Sequence, residues 1–297
     1  MSLAFDAGSV DQLKIGFIGT GRLGKALALS FMDRGLHVAA VGSLTLDESA
    51  PLAAAIPGCA NSTPQQVVDS CDLVFVTTVD GAIESIANAL QWRAGMAAVH
   101  CSGATEVSAL AKAAADGAMT GGFHPMQTFG DPEAARRSLP GCTITIEAEP
   151  PLYQVLHAIA IRLACRVNLL PPGMRGRYHA AAGYASQFIN VILREASAIW
   201  QSWGANEEDA VAALLPLVQG TLASIAGAGL ARGMPGPVSR GDIVSIDKHL
   251  ASLSTLDAPL KQLYRDMCRR SIALGLEAGG VNAEQAKTLR KMLGTGR

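Results

Sequence analysis

The sequence predicts an open α/β half, with a mainly parallel sheet wound on both faces, followed by an all-helical half. Three observations predict it. Short apolar runs alternate with helical segments from Lys14 to about Leu170, and a glycine-rich turn joins the first run to the first helix. Strand-like patterning then stops at Pro171-Pro172-Gly173, and the remaining residues have helical spacing. The expected domains are residues 1–170, with 1–13 as a loose leader, and residues 171–297.

The first half is expected to contain strands at 14–18, 37–41, 73–77, 97–101, 118–123 and 143–147. Helices fill the gaps, the first over 23–34 with Leu23, Leu27 and Phe31 on one stripe. In the second half Tyr178, Ala182, Ala185, Ile189, Ile192, Ala196, Ile199 and Trp203 step by four and three, which predicts one long helix with a packing seam, closed by Gly204. Further helices are expected over 207–227, bent or interrupted near Pro216, and after the N-cap candidates Asp242, Asp257 and Asn282.

Composition narrows the function classes. The 297 residues are 49% hydrophobic and 16% charged, enough to bury a core without disulfide or metal staples. Lys and Arg total 24 against 25 Asp and Glu, a net charge of -1 with no basic tract, which argues against nucleic-acid and polybasic membrane binding. Apolar stretches are interrupted short of a membrane span and no signal peptide opens the chain, so a cytoplasmic protein without a membrane partner is expected. The six cysteines form no C-x-x-C pair and read as buried thiols in a reducing compartment. Neither a local metal-ligand spacing nor a G-x-S-x-G is present, so no metal site and no serine hydrolase is expected.

The strongest motif is Gly19-Thr20-Gly21-Arg22-Leu23-Gly24, between the first strand and the first helix. Gly19 makes the tight turn, Gly21 lets the backbone approach a pyrophosphate, and Gly24 allows close helix–strand packing. The helix N-terminus adds unpaired N–H groups and partial positive charge. This is the Rossmann arrangement. After the second strand the chain reads Gly42-Ser43-Leu44-Thr45, with no acid to hold a ribose 2′-hydroxyl before Asp47. Ser43 and Thr45 can donate to a 2′-phosphate, so NADP is expected, with NAD as the alternative. Thr77 and Thr78, at the end of a later strand, face the same crevice and are expected to line the nicotinamide ribose.

Later segments resemble a specific family. These are His100-Cys101-Ser102-Gly103, His124-Pro125-Met126-Gln127-Thr128-Phe129, Tyr178-His179-Ala180-Ala181-Ala182, and Gly236-Pro237-Val238-Ser239-Arg240-Gly241-Asp242 with His249-Leu250 beyond. In order and spacing they resemble oxidoreductases that join a Rossmann-like NADP-binding domain to a helical domain catalogued as domain of unknown function 2520. That family looks related to deazaflavin-dependent NADP reductases, pyrroline-carboxylate reductase, ketopantoate reductase and the β-hydroxyacid dehydrogenases. The resemblance implies a C-terminal domain of the 6-phosphogluconate dehydrogenase type. The chain departs from the pattern at Leu44, Val79 and Gln187.

The expected function is NAD(P)-dependent hydride transfer to or from a small carbonyl, hydroxyl or imine substrate. A ketopantoate-type 2-oxo acid reductase is one alternative. A non-catalytic NADP(H) sensor is another, favoured by the lack of a lysine on the long helix. Four residues are the catalytic candidates. His124 follows a late strand and titrates near neutrality, so it can act as a general acid. His179 lies on a polar helix stripe with Gly183, Ser186 and Asn190. Arg240 is the natural bidentate partner of an anionic substrate, with Asp242 as its orienter or as a helix cap. Ser102 can supply a donor beside the cofactor. The apolar helices of the second half predict a homodimer.

Overall fold

The computed structural model describes residues 7–294, which divide into two compact units between Ser186 and Gln187. In the first unit eight strands form one sheet: β1 (Ile15–Ile18), β2 (Val38–Gly42), β3 (Ala60–Ser62), β4 (Leu73–Val76), β5 (Ala97–His100), β6 (Met119–Pro125), β7 (Thr143–Ala148) and β8 (Arg166–Leu169). Their order is β3-β2-β1-β4-β5-β6-β7-β8. All neighbours pair in parallel except β6 and β7, so the last two strands run against the other six. The six expected strands are present within two residues. β3 and β8 escaped the sequence reading because neither is a buried apolar run: β8 reads Arg-Val-Asn-Leu and is mostly exposed.

Period-two alternation divides the sheet's side chains between two cores. Ile15, Phe17, Phe75 and Val99 face one way, against Leu27 and Phe31 of α1 (Arg22–Asp33). Phe17, Phe31, Phe75 and Phe123 pack ring to ring there, with Phe17 and Phe75 stacked at 5.3 Å. Ile18, Val74, Val76 and Ala98 face the other way, against Val67, Ile83 and Ala113 from helices on that side. A sheet buried on both faces explains its near-continuous apolar strands. The leader expectation changes: Ala7–Gln12 is a 3₁₀ turn, and Val10 and Leu13 belong to the first core, while residues 1–6 lie outside the described residues.

The expected long helix is two helices, α2 (Arg175–Ala185) and α3 (Gln187–Gln201), separated at Ser186, whose φ of -131° and ψ of -88° are not helical. The first clusters with the sheet unit and the second opens the helical unit. In that second unit α4 (Glu207–Arg232) runs through Pro216 unbroken, and its non-helical residue is Gly229 (φ 81°). From Ala210 to Leu230 it carries no charge, so the expected interruption short of a membrane span is absent. By length and composition this helix is apolar enough to cross a membrane. Helices α5 (Ile243–Ser252), α6 (Ala258–Glu277) and α7 (Ala283–Leu293) enclose a small core of Ile246, Ile272, Leu289 and Leu293. Asn282 caps α7 through a reciprocal box with Gln285, and Asp257 sits at its cap position without a side-chain bond.

Candidate active site

The glycine-rich turn lies where parallel β1 and β4 end, the usual ligand position in such sheets. Gly19 has φ +101°, and a Cβ there would meet the Thr77 and Thr78 backbone at 2.8 Å. A Cβ on Gly24 would sit 2.1 Å from the Gly19 carbonyl, so α1 packs on the turn only because that residue has no side chain. The Thr77 hydroxyl locks the turn further, donating to the Gly19 carbonyl at 2.6 Å. A Cβ on Gly21 meets nothing within 4 Å.

A cleft of about 920 Å³ opens beside this turn. It is lined by Gly19, Thr20, Gly21, Arg22 and Leu23, by Ser43, Leu44 and Glu48, by Thr77, Thr78 and Val79, and by Thr128, Phe129 and Gly130. The Thr78 hydroxyl is buried in its wall with no hydrogen-bond partner. An open glycine face, a helix N-terminus with no side-chain cap and an orphaned hydroxyl fit a dinucleotide. The predicted residues therefore gather here, with Gly24 behind the turn and two exceptions. Thr45 caps the next helix, Leu46–Ala55, by accepting from the Glu48 N–H. Ser102 lies elsewhere: its hydroxyl accepts from the Ala104 and Thr105 N–H groups and donates to the Thr105 hydroxyl, holding a turn.

An acid does stand beside the end of β2, contrary to expectation. Ser43 Oγ donates to Glu48 Oε2 at 2.7 Å, which places the carboxylate in the cleft. It comes from the following helix rather than the strand end, and the spacing rule does not look there.

A second cluster forms at the ends of β5 and β6, where His124 is the penultimate residue of β6 rather than following it. His124 Nδ1 is 2.7 Å from the Tyr178 hydroxyl, and the His179 ring meets the His124 ring edge-on at 6.3 Å. Gly103 leaves room between them, since a Cβ there would approach His179 Cδ2 and His124 Nε2 within 3 Å. The predicted pair of histidines is thus brought together. Tyr178, expected in an apolar seam, instead serves the polar cluster.

Beneath the pair lies Arg175, fully buried. Its Nε donates to Glu147 Oε2 at 2.5 Å and its Nη1 to the Ser102 carbonyl at 2.6 Å. Its Nη2 occupies the space that a side chain on Gly122 would fill. Burial pushes the Glu147 carboxyl up, against the pull of the guanidinium. Burial also lowers His124 to about 4, reinforced by His179 and Arg175, and lowers His100 to about 3. The expectation that His124 titrates near neutrality is therefore corrected: in the folded chain it is uncharged at pH 7. Burial pushes Tyr178 up as well, so its hydroxyl keeps its proton.

Arg175, Glu147 and Tyr178 were missed by sequence reasoning. The adjacent Gly121-Gly122 inside a strand was the available signal, because such glycines mark close approach by another group. Arg240 and Asp242 belong to the second unit. Arg240 ends a 3₁₀ turn and is exposed. Asp242 caps α5, accepting from the Ser245 N–H at 3.0 Å and from its hydroxyl at 2.6 Å, which holds its carboxyl below the usual range.

The chain resembles solved structures along most of its length at low identity, which shows a shared fold. Protein TM1727 from Thermotoga maritima is 20% identical with a TM-score of 0.73, covering 89% of this chain and 98% of that one. Protein BF3122 from Bacteroides fragilis is 23% identical with a TM-score of 0.66, covering 89% and 100%. A reductive aminase from Aspergillus terreus, in complex with NADPH and ethyl-5-oxohexanoate, is 18% identical with a TM-score of 0.65, covering 94% and 99%. No curated protein matches in sequence. Residues 14–101 match the family described as NADP oxidoreductase coenzyme F420-dependent, and residues 142–271 match the domain of unknown function DUF2520. The chain thus carries a match to an NADP-oxidoreductase family model in its first half and a match to DUF2520 in its second, the pairing that its motifs resemble.

Proposed function

We propose that the protein is an NADP(H)-dependent reductase that transfers hydride to a small carbonyl or imine. The carrying observation is the cleft built on Gly19–Gly24, with the unpartnered Thr78 hydroxyl in its wall, inside a segment of the NADP-oxidoreductase type. The reductive aminase's complex with NADPH supports that cofactor choice. Bound NADPH would supply the hydride, and the Gly21 face and the α1 N-terminus would hold its pyrophosphate.

The protein's own groups then manage the proton. His124 is neutral, so an imidazolium is not the donor. We assign the tautomer in which the Tyr178 hydroxyl donates to Nδ1, which leaves the imidazole proton on Nε2, the nitrogen beside Gly103. A substrate oxygen or nitrogen gaining negative charge takes the Nε2 proton while Nδ1 takes that of Tyr178, and the transient phenolate, which burial disfavours, is reprotonated by water to close the cycle. Arg175, tied to Glu147 and the Ser102 carbonyl, positions the loop facing this pair. Arg240 is proposed to clamp an anionic group of the substrate, as a planar bidentate donor.

We also propose that the chain works as a cytoplasmic homodimer through its helical unit. Only 6% of the apolar window of α4 is buried within the chain, and Leu217 and Leu230 are 64% and 66% exposed. A second copy covers such a face most simply, because two-fold pairing is the commonest closed symmetry.

Oxidation of NADPH measured against a panel of 2-oxo acids, ketones and cyclic imines tests the reading. Turnover with at least one class is expected. NADPH binding without turnover of any class would favour the sensor role. With an anionic substrate, Arg240→Lys should lose most of the activity, as should Arg240→Ala, because an ammonium cannot reproduce the planar fork.

A further inference from the structure

Cys142 directly precedes β7 and Cys165 directly precedes β8, one position before the register pair Thr143 and Arg166. The Arg166 N–H donates to the Cys142 carbonyl at 2.8 Å, so the two cysteines are rungs on adjacent parallel strands. Strands that pair in this way lie about 4.7–4.9 Å apart, within the Cα separation of about 4.4–6.8 Å that a disulfide spans. Their sulfurs are already 3.8 Å apart. We propose that Cys142 and Cys165 form a redox dithiol that closes to a disulfide when a hydroperoxide reaches Cys142.

The two thiols are not equivalent. Cys142 is partly exposed, whereas Cys165 is buried, with its thiol on the Leu139 carbonyl at 3.2 Å. When the single Cys165 proton turns from the Leu139 carbonyl to Cys142, it favours the thiolate there and holds Cys142 below the ordinary thiol range. Burial pushes the other thiols up, Cys59 to about 11 and Cys71, Cys101 and Cys268 also above their ordinary value. Cys142 is the attacking sulfur and Cys165 the resolving one.

The step balances. The Cys142 thiolate attacks one peroxide oxygen and the O–O bond breaks, giving a sulfenic acid, while the departing alkoxide or hydroxide leaves as alcohol or water after taking a proton. The Cys165 sulfur then attacks the sulfenic sulfur, the S–O bond breaks, and water leaves with the thiol proton. Two thiols are oxidised by two electrons, and one hydroperoxide is reduced.

The experiment uses the full chain, reduced, desalted and treated with a small excess of hydrogen peroxide, then alkylated and mapped by peptide. The wild-type protein is expected to lose two of its six thiols and to yield one disulfide-linked peptide pair containing Cys142 and Cys165. Cys165→Ser is expected to stop at a Cys142 sulfenic acid that dimedone captures, and Cys142→Ser to leave Cys165 reduced. Retention of all six thiols, or first oxidation at any other cysteine, would overturn the proposal. The wild-type map reads the bond directly, so misfolding of a variant does not shield it.

Discussion

At the residue scale the decisive facts are protonation states. A free imidazole near pKa 6.5 would lose its proton as pH rises through neutrality, and an acid-catalysed rate would fall with it. His124 is depressed to about 4, so its charge does not change between pH 5 and 8. The turnover profile is therefore expected to show no inflection from His124 in that window, and a descending limb near 6.5 that vanishes in His124→Gln would contradict this. Removing the donor in His124→Ala should lower turnover by about 10²–10⁴-fold. Tyr178→Phe should lower it as well, with cofactor affinity unchanged. Glu48 matters at the other end of the cleft. Its carboxylate occupies the Ser43 hydroxyl and would repel a 2′-phosphate placed there, so Glu48→Gln should tighten NADPH by about 3- to 10-fold relative to NADH, the effect of roughly one kcal/mol of like-charge repulsion. An unchanged ratio of the two dissociation constants would remove Glu48 from cofactor choice.

At the element scale, what could be read from the sequence was whatever depends on local pattern. Strand alternation, the turn after β1 and the Asn282 and Asp242 caps all depend on residues within a few positions of each other. The break at Ser186 could not be read, because the apolar spacing runs straight through it and only the backbone angles depart. The Arg175–Glu147 pair and the Tyr178–His124 bond join residues 28 and 54 positions apart, and the only local mark is the Gly121-Gly122 pair that makes room for Arg175. Glu48 escaped for a milder reason, since it acts from the helix after the strand whose end was inspected. The glycine turn permits a sharp test of division of labour. Gly24→Ala places a Cβ 2.1 Å from the Gly19 carbonyl and should lower the unfolding temperature. Gly21→Ala meets nothing within 4 Å, so it should leave that temperature unchanged while weakening NADPH binding. Equal thermal shifts for the two variants would refute this reading of the turn.

At the scale of the whole molecule, the sheet unit carries the proposed cofactor and proton machinery, and the helical unit presents apolar surface that the single chain leaves open. Light scattering should therefore give about twice the 30.7 kDa chain mass at micromolar concentration, and replacing Leu217 and Leu230 together by Glu should return it to the monomer. A wild-type monomer that instead partitions into lipid vesicles would assign α4 to a membrane. The glycine-lined cleft of the sheet unit is the proposed seat of NADPH. Calorimetric titration of the full chain at physiological salt, beside Gly21→Leu, tests it most directly. The wild-type protein should bind one NADPH per chain more tightly than NADH, and the variant should bind neither, because its side chain fills the pyrophosphate approach. Absence of NADPH binding by the wild type, or equal binding by Gly21→Leu, would contradict the account.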